Sequence, residues 1–167
     1  KVLKKINSKN CKVNQLENEK AIAIINSAKT VLAARGRETD PVTYADKVIE
    51  VIVERGLGVY LLSMKYDSKL PIENYTGFVA YRNGVPIGYG GGWIFFDRCE
   101  IGVNIFETFR GGENSLIFTN ILRVYNQVFG IKKFVVPPYQ FGEDNEEGLQ
   151  SGAFWFYYKL GFKPADE

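Results

Sequence analysis

The sequence contains no histidine, only two cysteines and a single methionine in 167 residues. Without histidine there is no imidazole general base, no Ser-His-Asp or Cys-His constellation, and none of the commonest zinc-ligand sets. Proton transfer must therefore fall to carboxylates, tyrosine, lysine, cysteine or water. Cys11 lies in a polar stretch and Cys99 opens an apolar one. Both read as free thiols of a reducing compartment, so a cytoplasmic location is expected. Also missing is any apolar run near the ~20 residues of a membrane span, and there is no signal-peptide pattern, so no membrane association is expected. Neither sign of charge predominates. Lys and Arg number 21 against 19 Asp and Glu, for a net charge of +2. The lysines are dispersed apart from a small N-terminal group, so no nucleic-acid partner is expected.

What is present is apolar and aromatic. Hydrophobic residues make up 46% and aromatic residues 14% of the chain, which excludes a disordered segment and suits one folded domain with a sizeable core. The chain does not begin with Met, and the expectation is of a processed product or a domain of a longer protein.

The stretch from Cys99 to Gly130 organises the rest. Ile101, Val103 and Ile105 alternate with Gly102 and Asn104, the period of a strand. Arg110-Gly111-Gly112 breaks that period. From Glu113 the apolar residues recur at three- and four-residue steps through Phe129, and Gly130 supplies a stop, which predicts a helix. A strand, a Gly turn and a helix start together aim unpaired N–H groups and the positive end of a helix dipole at one spot, which suits an anion such as phosphate.

Residues 1–13 read as a loose polar lead-in. Asn14 with Glu17 resembles a capping box opening a helix over about 15–34, with Gly36 beyond it. Asp40-Pro41 marks a turn or short helix. Strands are expected at 47–54, 59–64, 75–82 and 85–96, the last two joined by Asn83-Gly84, a type I′ hairpin signal. Gly90, Gly91 and Gly92 within a strand suggest a bulge or a close approach. Lys133–Val136 reads as a short strand ended by Pro137-Pro138, followed by an acidic loop (143–147) and an aromatic helix over about 149–160. Strand-helix-strand-helix after antiparallel hairpins implies a mixed sheet with helices on its faces.

The run EIGVNIFETFRGGENS (100–115) resembles the strand and pyrophosphate loop of the GCN5-related N-acetyltransferases (the GNAT superfamily). AFWFYYKLGF (153–162) resembles that superfamily's other signature helix, in the same order and at a fitting separation. The resemblance covers about the last 70 residues well. It implies an α/β (α+β type) GNAT-like fold with a mixed central sheet of about six strands flanked by helices on both faces. A single domain would span 1–167, with an N-terminal helical segment at 1–40 and the sheet and cofactor-site core at 41–167.

The resemblance further implies acetyl-CoA, or another acyl-CoA, as co-substrate. Val103, Asn104, Ile105 and Phe106 would present strand backbone to the pantetheine arm. Arg110, Gly111, Gly112, Glu113, Asn114 and Ser115 would wrap the pyrophosphate. Glu113 stands where the family pattern has its central Gly, and Ser115 at the last small position. Beside a pyrophosphate the Glu113 carboxylate would repel, whereas at a helix N-terminus it would stabilise. Tyr157 matches the Tyr that protonates the departing thiolate, and Glu100 the acidic residue that activates the amine. No metal is implied.

The function expected is transfer of an acetyl or acyl group from acyl-CoA to an amine, on a small molecule or peptide, by direct attack. The alternative is a GNAT-fold module without catalysis, serving binding or regulation. A third reading takes the acyl group from a protein-bound thioester or a charged tRNA.

Overall fold

Alternating apolar residues in the first half of the chain build a meander of strands, each pairing with the next. The computed structural model describes residues 2–8, 11–37, 39–65, 67, 72, 74–109 and 111–164. Its seven-stranded sheet follows chain order: β1 (Lys12–Leu16), β2 (Ala45–Ile52), β3 (Leu57–Met64), β4 (Asn74–Arg82), β5 (Val85–Phe95), β6 (Arg98–Ile105) and β7 (Lys133–Val135). All neighbours are antiparallel except β6 and β7, which are parallel because α4 (Asn114–Phe129) crosses between them. The other helices are α1 (Val2–Ile6), α2 (Asn18–Ala33), α3 (Asp40–Thr43), α5 (Pro138–Phe141), α6 (Glu146–Gln150) and α7 (Ala153–Leu160).

The strands bury both faces. Leu57, Val59 and Leu61 of β3, with Phe78 and Ala80 of β4, point into one core with Ile117, Ile121 and Tyr125 of α4 and Tyr157 of α7. Leu62, Val79 and Tyr81 take the opposite parity and meet Ala21, Ala28 and Leu32 of α2 in a second core. Tyr125 is fully buried and donates its hydroxyl hydrogen to the Thr76 carbonyl at 2.6 Å, tying α4 to β4.

Several expectations need correction. The sheet has seven strands rather than about six, because the supposed lead-in contains α1 and β1. Side chains of α4 hold this segment: Arg123 donates to the Ser8 carbonyl (3.2 Å), while the Gln127 amide takes the Cys11 N–H (3.1 Å) and donates to its carbonyl (2.9 Å). Asn14 is no helix cap. It lies in β1, opposite Glu50, and donates to that carboxylate at 2.9 Å, and α2 starts at Asn18 instead. The register shift in the β4–β5 hairpin falls between Ala80 and Tyr81, not at Gly90–Gly92. The acidic segment is not a plain loop, because it holds α6. The aromatic helix is broken before Ala153, where Gly152 adopts a left-handed φ of 79°. Asn83 and Gly84 both have positive φ, as the hairpin signal requires.

Candidate active site

Two prolines open the sheet. β7 is only three residues long and pairs with β6 at Arg98, Cys99 and Glu100. The chain then meets Pro137-Pro138, which cannot donate to a ladder and which starts α5. β6 continues past Glu100 with β5 on its other side. The Phe106 N–H donates to the Ile87 carbonyl at 3.0 Å. Facing directions alternate in an antiparallel ladder, so Asn104 and Gly102 also turn to β5, and the backbone of Val103 faces the opened side.

That edge leads to the start of α4. After a 3-10 turn at Glu107–Phe109 the chain passes Gly111 and Gly112 and enters the helix with Glu113 at its N-cap position. The Glu113 side chain makes no capping hydrogen bond. Its carboxylate is ion-paired instead with Arg82 at the end of β4, and it lies 3.8 Å from Arg55 Nη1. The Glu113 charge is thereby paired, and the first turn of α4 itself holds no acid. The Asn114 side chain accepts from the Gly111 N–H at 3.3 Å.

A solvent-open cleft of about 1530 Å³ runs along this edge. It brings together Glu100, Val103, Asn104, Ile105, Gly111, Asn114 and Tyr157 of the expected site. Gly112 and Glu113 line an adjoining cavity of about 240 Å³ with Arg82 and Gly111. Phe106 does not line the cleft. It is buried, its N–H is taken by Ile87, and the Arg35 guanidinium lies 4.0 Å from its ring centre. Ser115 lines neither cavity; its carbonyl accepts the Thr119 hydroxyl at 2.6 Å. Arg110 lies outside the described residues.

Tyr157 sits on α7 among aromatic rings, stacked on Phe141 with centroids 5.5 Å apart and edge-on to Phe118. Burial raises its pKa to about 12, so the phenol holds its proton. Its hydroxyl donates to Gln140 Oε1 at 2.9 Å. The amide nitrogen of Gln140 lies over Gly102, where an added Cβ would stand 2.8 Å from it. Gln140 thus joins the α7 phenol to the open β6 edge. It was missed in the sequence because it sits on a single helical turn after two prolines, with no periodicity to mark it.

Glu100 is half-exposed, 3.7 Å from Arg98 Nη2. The cleft therefore has two electrical ends. Arg37 lies toward Asn104, both bonded to the Tyr89 hydroxyl, while Glu100 lies further back along β6; Glu147 of α6 also lines the cleft. Glu100 and Asn104 are four residues apart on β6, about 13 Å. Both cysteines are free, and burial pushes the Cys99 thiol up to about 12. Among the described residues no cluster of His, Cys, Asp and Glu could hold a metal ion, and no helix is long and apolar enough to cross a membrane.

No protein-family model and no curated protein sequence matches the chain. Solved structures do. The chain is similar to AAC(6')-Iy in complex with the bisubstrate analog CoA-S-monomethyl-acetylneamine, at a TM-score of 0.51 and 13% identity over 95% of this chain and 94% of that one. It is likewise similar to the aminoglycoside N-acetyltransferase AAC(6')-Iy in complex with CoA, at a TM-score of 0.50 and 13% identity over 96% and 93% of the two chains. The fold is therefore the GNAT acetyltransferase fold, with its mixed sheet opened between two parallel strands.

Proposed function

We propose that the chain is an acyl-CoA-dependent N-acyltransferase acting on a small-molecule amine. One observation carries the proposal: a single cleft joins the open β6 edge at Val103, the N-terminus of α4 with no side-chain cap from Glu113, and a buried, protonated tyrosine. The fold supports it, since the solved AAC(6')-Iy structures of the same fold are complexes with CoA and with a CoA bisubstrate analog.

The groups present fit acetyl-CoA. The backbone of Val103 offers a donor and an acceptor to an extended amide-containing arm, as a sheet edge accepts a further strand. Gly112 and the first-turn N–H groups of α4 suit a pyrophosphate, and Gly111 and Gly112 have nothing within 4 Å of an added Cβ, which leaves the approach open. Arg82 pairs with the Glu113 carboxylate and offsets its charge in the same cavity. Acetyl-CoA would supply an activated thioester carbonyl to the amine. Tyr157 keeps a proton at its hydroxyl to deliver to a departing sulfur, and Glu100 accepts a proton from the amine directly or through water. The cleft walls hold the two reactants together, which supplies proximity rather than new chemistry.

The experiment is a calorimetric titration with acetyl-CoA, followed by a thiol-release assay against a panel of primary amines. Saturable binding with thiol release that depends on the amine supports the proposal. Absence of acetyl-CoA binding overturns it and leaves a non-catalytic module of the same fold.

A further inference from the structure

Registers across three strands place the cleft-lining residues in rows. Tyr75 of β4 pairs with Trp93 of β5, and Trp93 with Glu100 of β6. The next row on the same face is Gly77, Gly91 and Gly102. Side chains on one face of a strand recur every second residue, so the sheet presents a ridge of two aromatics and one acid beside a glycine row whose side-chain space is taken by Tyr75 over Gly91 and Gln140 over Gly102. The far wall is Tyr89 paired with Asn104; the Tyr89 hydroxyl accepts from Asn104 at 3.3 Å and from Arg37 at 3.2 Å.

Within the ridge, Tyr75 leans over Gly91, where any Cβ would collide with its hydroxyl, and packs against the Trp93 indole with centroids 5.0 Å apart. Trp93 remains 42% exposed although it lies in the cleft. An indole supported on one side and open on the other, set into a concave surface, is a stacking platform rather than a core residue. Glu100 stands directly across from it, one inter-strand spacing of about 5 Å away. Arg98 forms a half-exposed ion pair with that carboxylate at 3.7 Å, a pairing of the weak, solvent-screened kind that leaves the carboxylate able to take a closer ammonium. Glu147, on α6, adds a second exposed negative charge to the same cleft.

We infer that this ridge is the acceptor subsite, and that it takes a primary ammonium carried one or two carbon atoms from a flat ring. The ring stacks on the open face of Trp93, and the ammonium reaches Glu100. The inference rests on the acyltransferase reading for what happens to the amine, but binding itself needs no acyl donor. Three features select this occupant. The acids favour a cation, the exposed indole favours a flat face and strengthens a nearby cation's binding, and the strand spacing sets ring and charge about 5 Å apart.

The test uses the full chain without acetyl-CoA and three probes: phenethylamine, butylamine and 3-phenylpropionate, titrated by ligand-observed NMR. Glucosamine is a fourth probe, carrying its amine directly on a sugar ring. Phenethylamine is expected to bind at least about tenfold more tightly than the other three, a factor that corresponds to 1.4 kcal/mol. Trp93→Ala and Glu100→Gln are each expected to weaken phenethylamine about tenfold, while Trp155→Phe, on the exposed side of α7, leaves it unchanged. Equal binding of butylamine, or of phenethylamine to the Glu100→Gln chain, overturns the subsite. Preference for glucosamine reassigns the ridge to sugar recognition and overturns the spacing argument. A chain that binds phenethylamine as stated but releases no thiol with acetyl-CoA keeps the subsite and sinks the transferase reading. Acetyl transfer to butylamine as efficient as to phenethylamine does the reverse.

Discussion

Tyr157 and Gln140 share a hydrogen bond of 2.9 Å in which the phenol donates, and the same Gln140 side chain rests its amide nitrogen above Gly102. The acid of the proposed reaction is therefore oriented by a residue of the neighbouring helix α5. Tyr157→Phe is expected to lower kcat by at least about a hundredfold, with the Kd for acetyl-CoA little changed, because the lost group acts on the departing sulfur. Gln140→Leu keeps the hydroxyl but frees it, and a smaller loss of about tenfold is expected. Steady-state kinetics beside calorimetry separates the two. Equal losses in Kd and kcat for Tyr157→Phe would show a packing role only.

Arg82 and Glu113 make a second testable pair. Removing the arginine leaves the carboxylate to face the phosphate-binding turn. Arg82→Ala is expected to weaken acetyl-CoA binding about tenfold, equal to about 1.4 kcal/mol, and the double variant Arg82→Ala with Glu113→Ala to recover most of it. Calorimetry on the four chains of the cycle measures the coupling. Additive losses would mean that Glu113 does not oppose the anion.

Alkaline stability follows from burial. Cys99, Tyr60 and Tyr157 each have a pKa raised to about 12, against ordinary values of 9.0 for the thiol and 10.0 for the phenols. All three are neutral when protonated, so the unfolded chain loses these protons first. Stability is complete below pH 9 and falls as the pH rises from there toward 12. Thermal melts at stepped pH should show this decline, and Cys99→Ala should make its first part shallower, with the half-buried Cys11 thiol still contributing there.

The Tyr125 hydroxyl, buried completely, bonds the Thr76 carbonyl at 2.6 Å. Tyr125→Phe removes the donor and leaves that acceptor with one partner fewer, so a loss of about 1 kcal/mol is expected in urea unfolding. Because the residue supports β4 from beneath, acetyl-CoA binding should survive.

Much of this architecture was legible because local signals agreed with it. The Asn83-Gly84 hairpin, the β6-turn-α4 unit and the Pro137-Pro138 stop each depend on backbone constraints that residue identity reveals. The N-terminal segment was not legible, since α1 and β1 are held by Arg123 and Gln127, over a hundred positions away in the chain. At the site, motif position brought Glu100, Val103, Gly111 and Tyr157 to one cleft. Motif position could not show that Glu113 is claimed by Arg82, that Phe106 points into the core, or that Gly77, Gly91 and Gly102 align, because alignment across strands depends on register. The run of glycines in β5 was the available clue. Its close-approach reading fits Tyr75 over Gly91 and the Cys99 sulfur against Gly92.

The most direct measurement is hydrogen–deuterium exchange of the native chain with and without acetyl-CoA. The account predicts slowed exchange at the amide of Val103 and through residues 111–116, with little change in α2. Unchanged exchange at both places, or protection confined to another part of the sheet, would contradict a cofactor held between the open β6 edge and the start of α4.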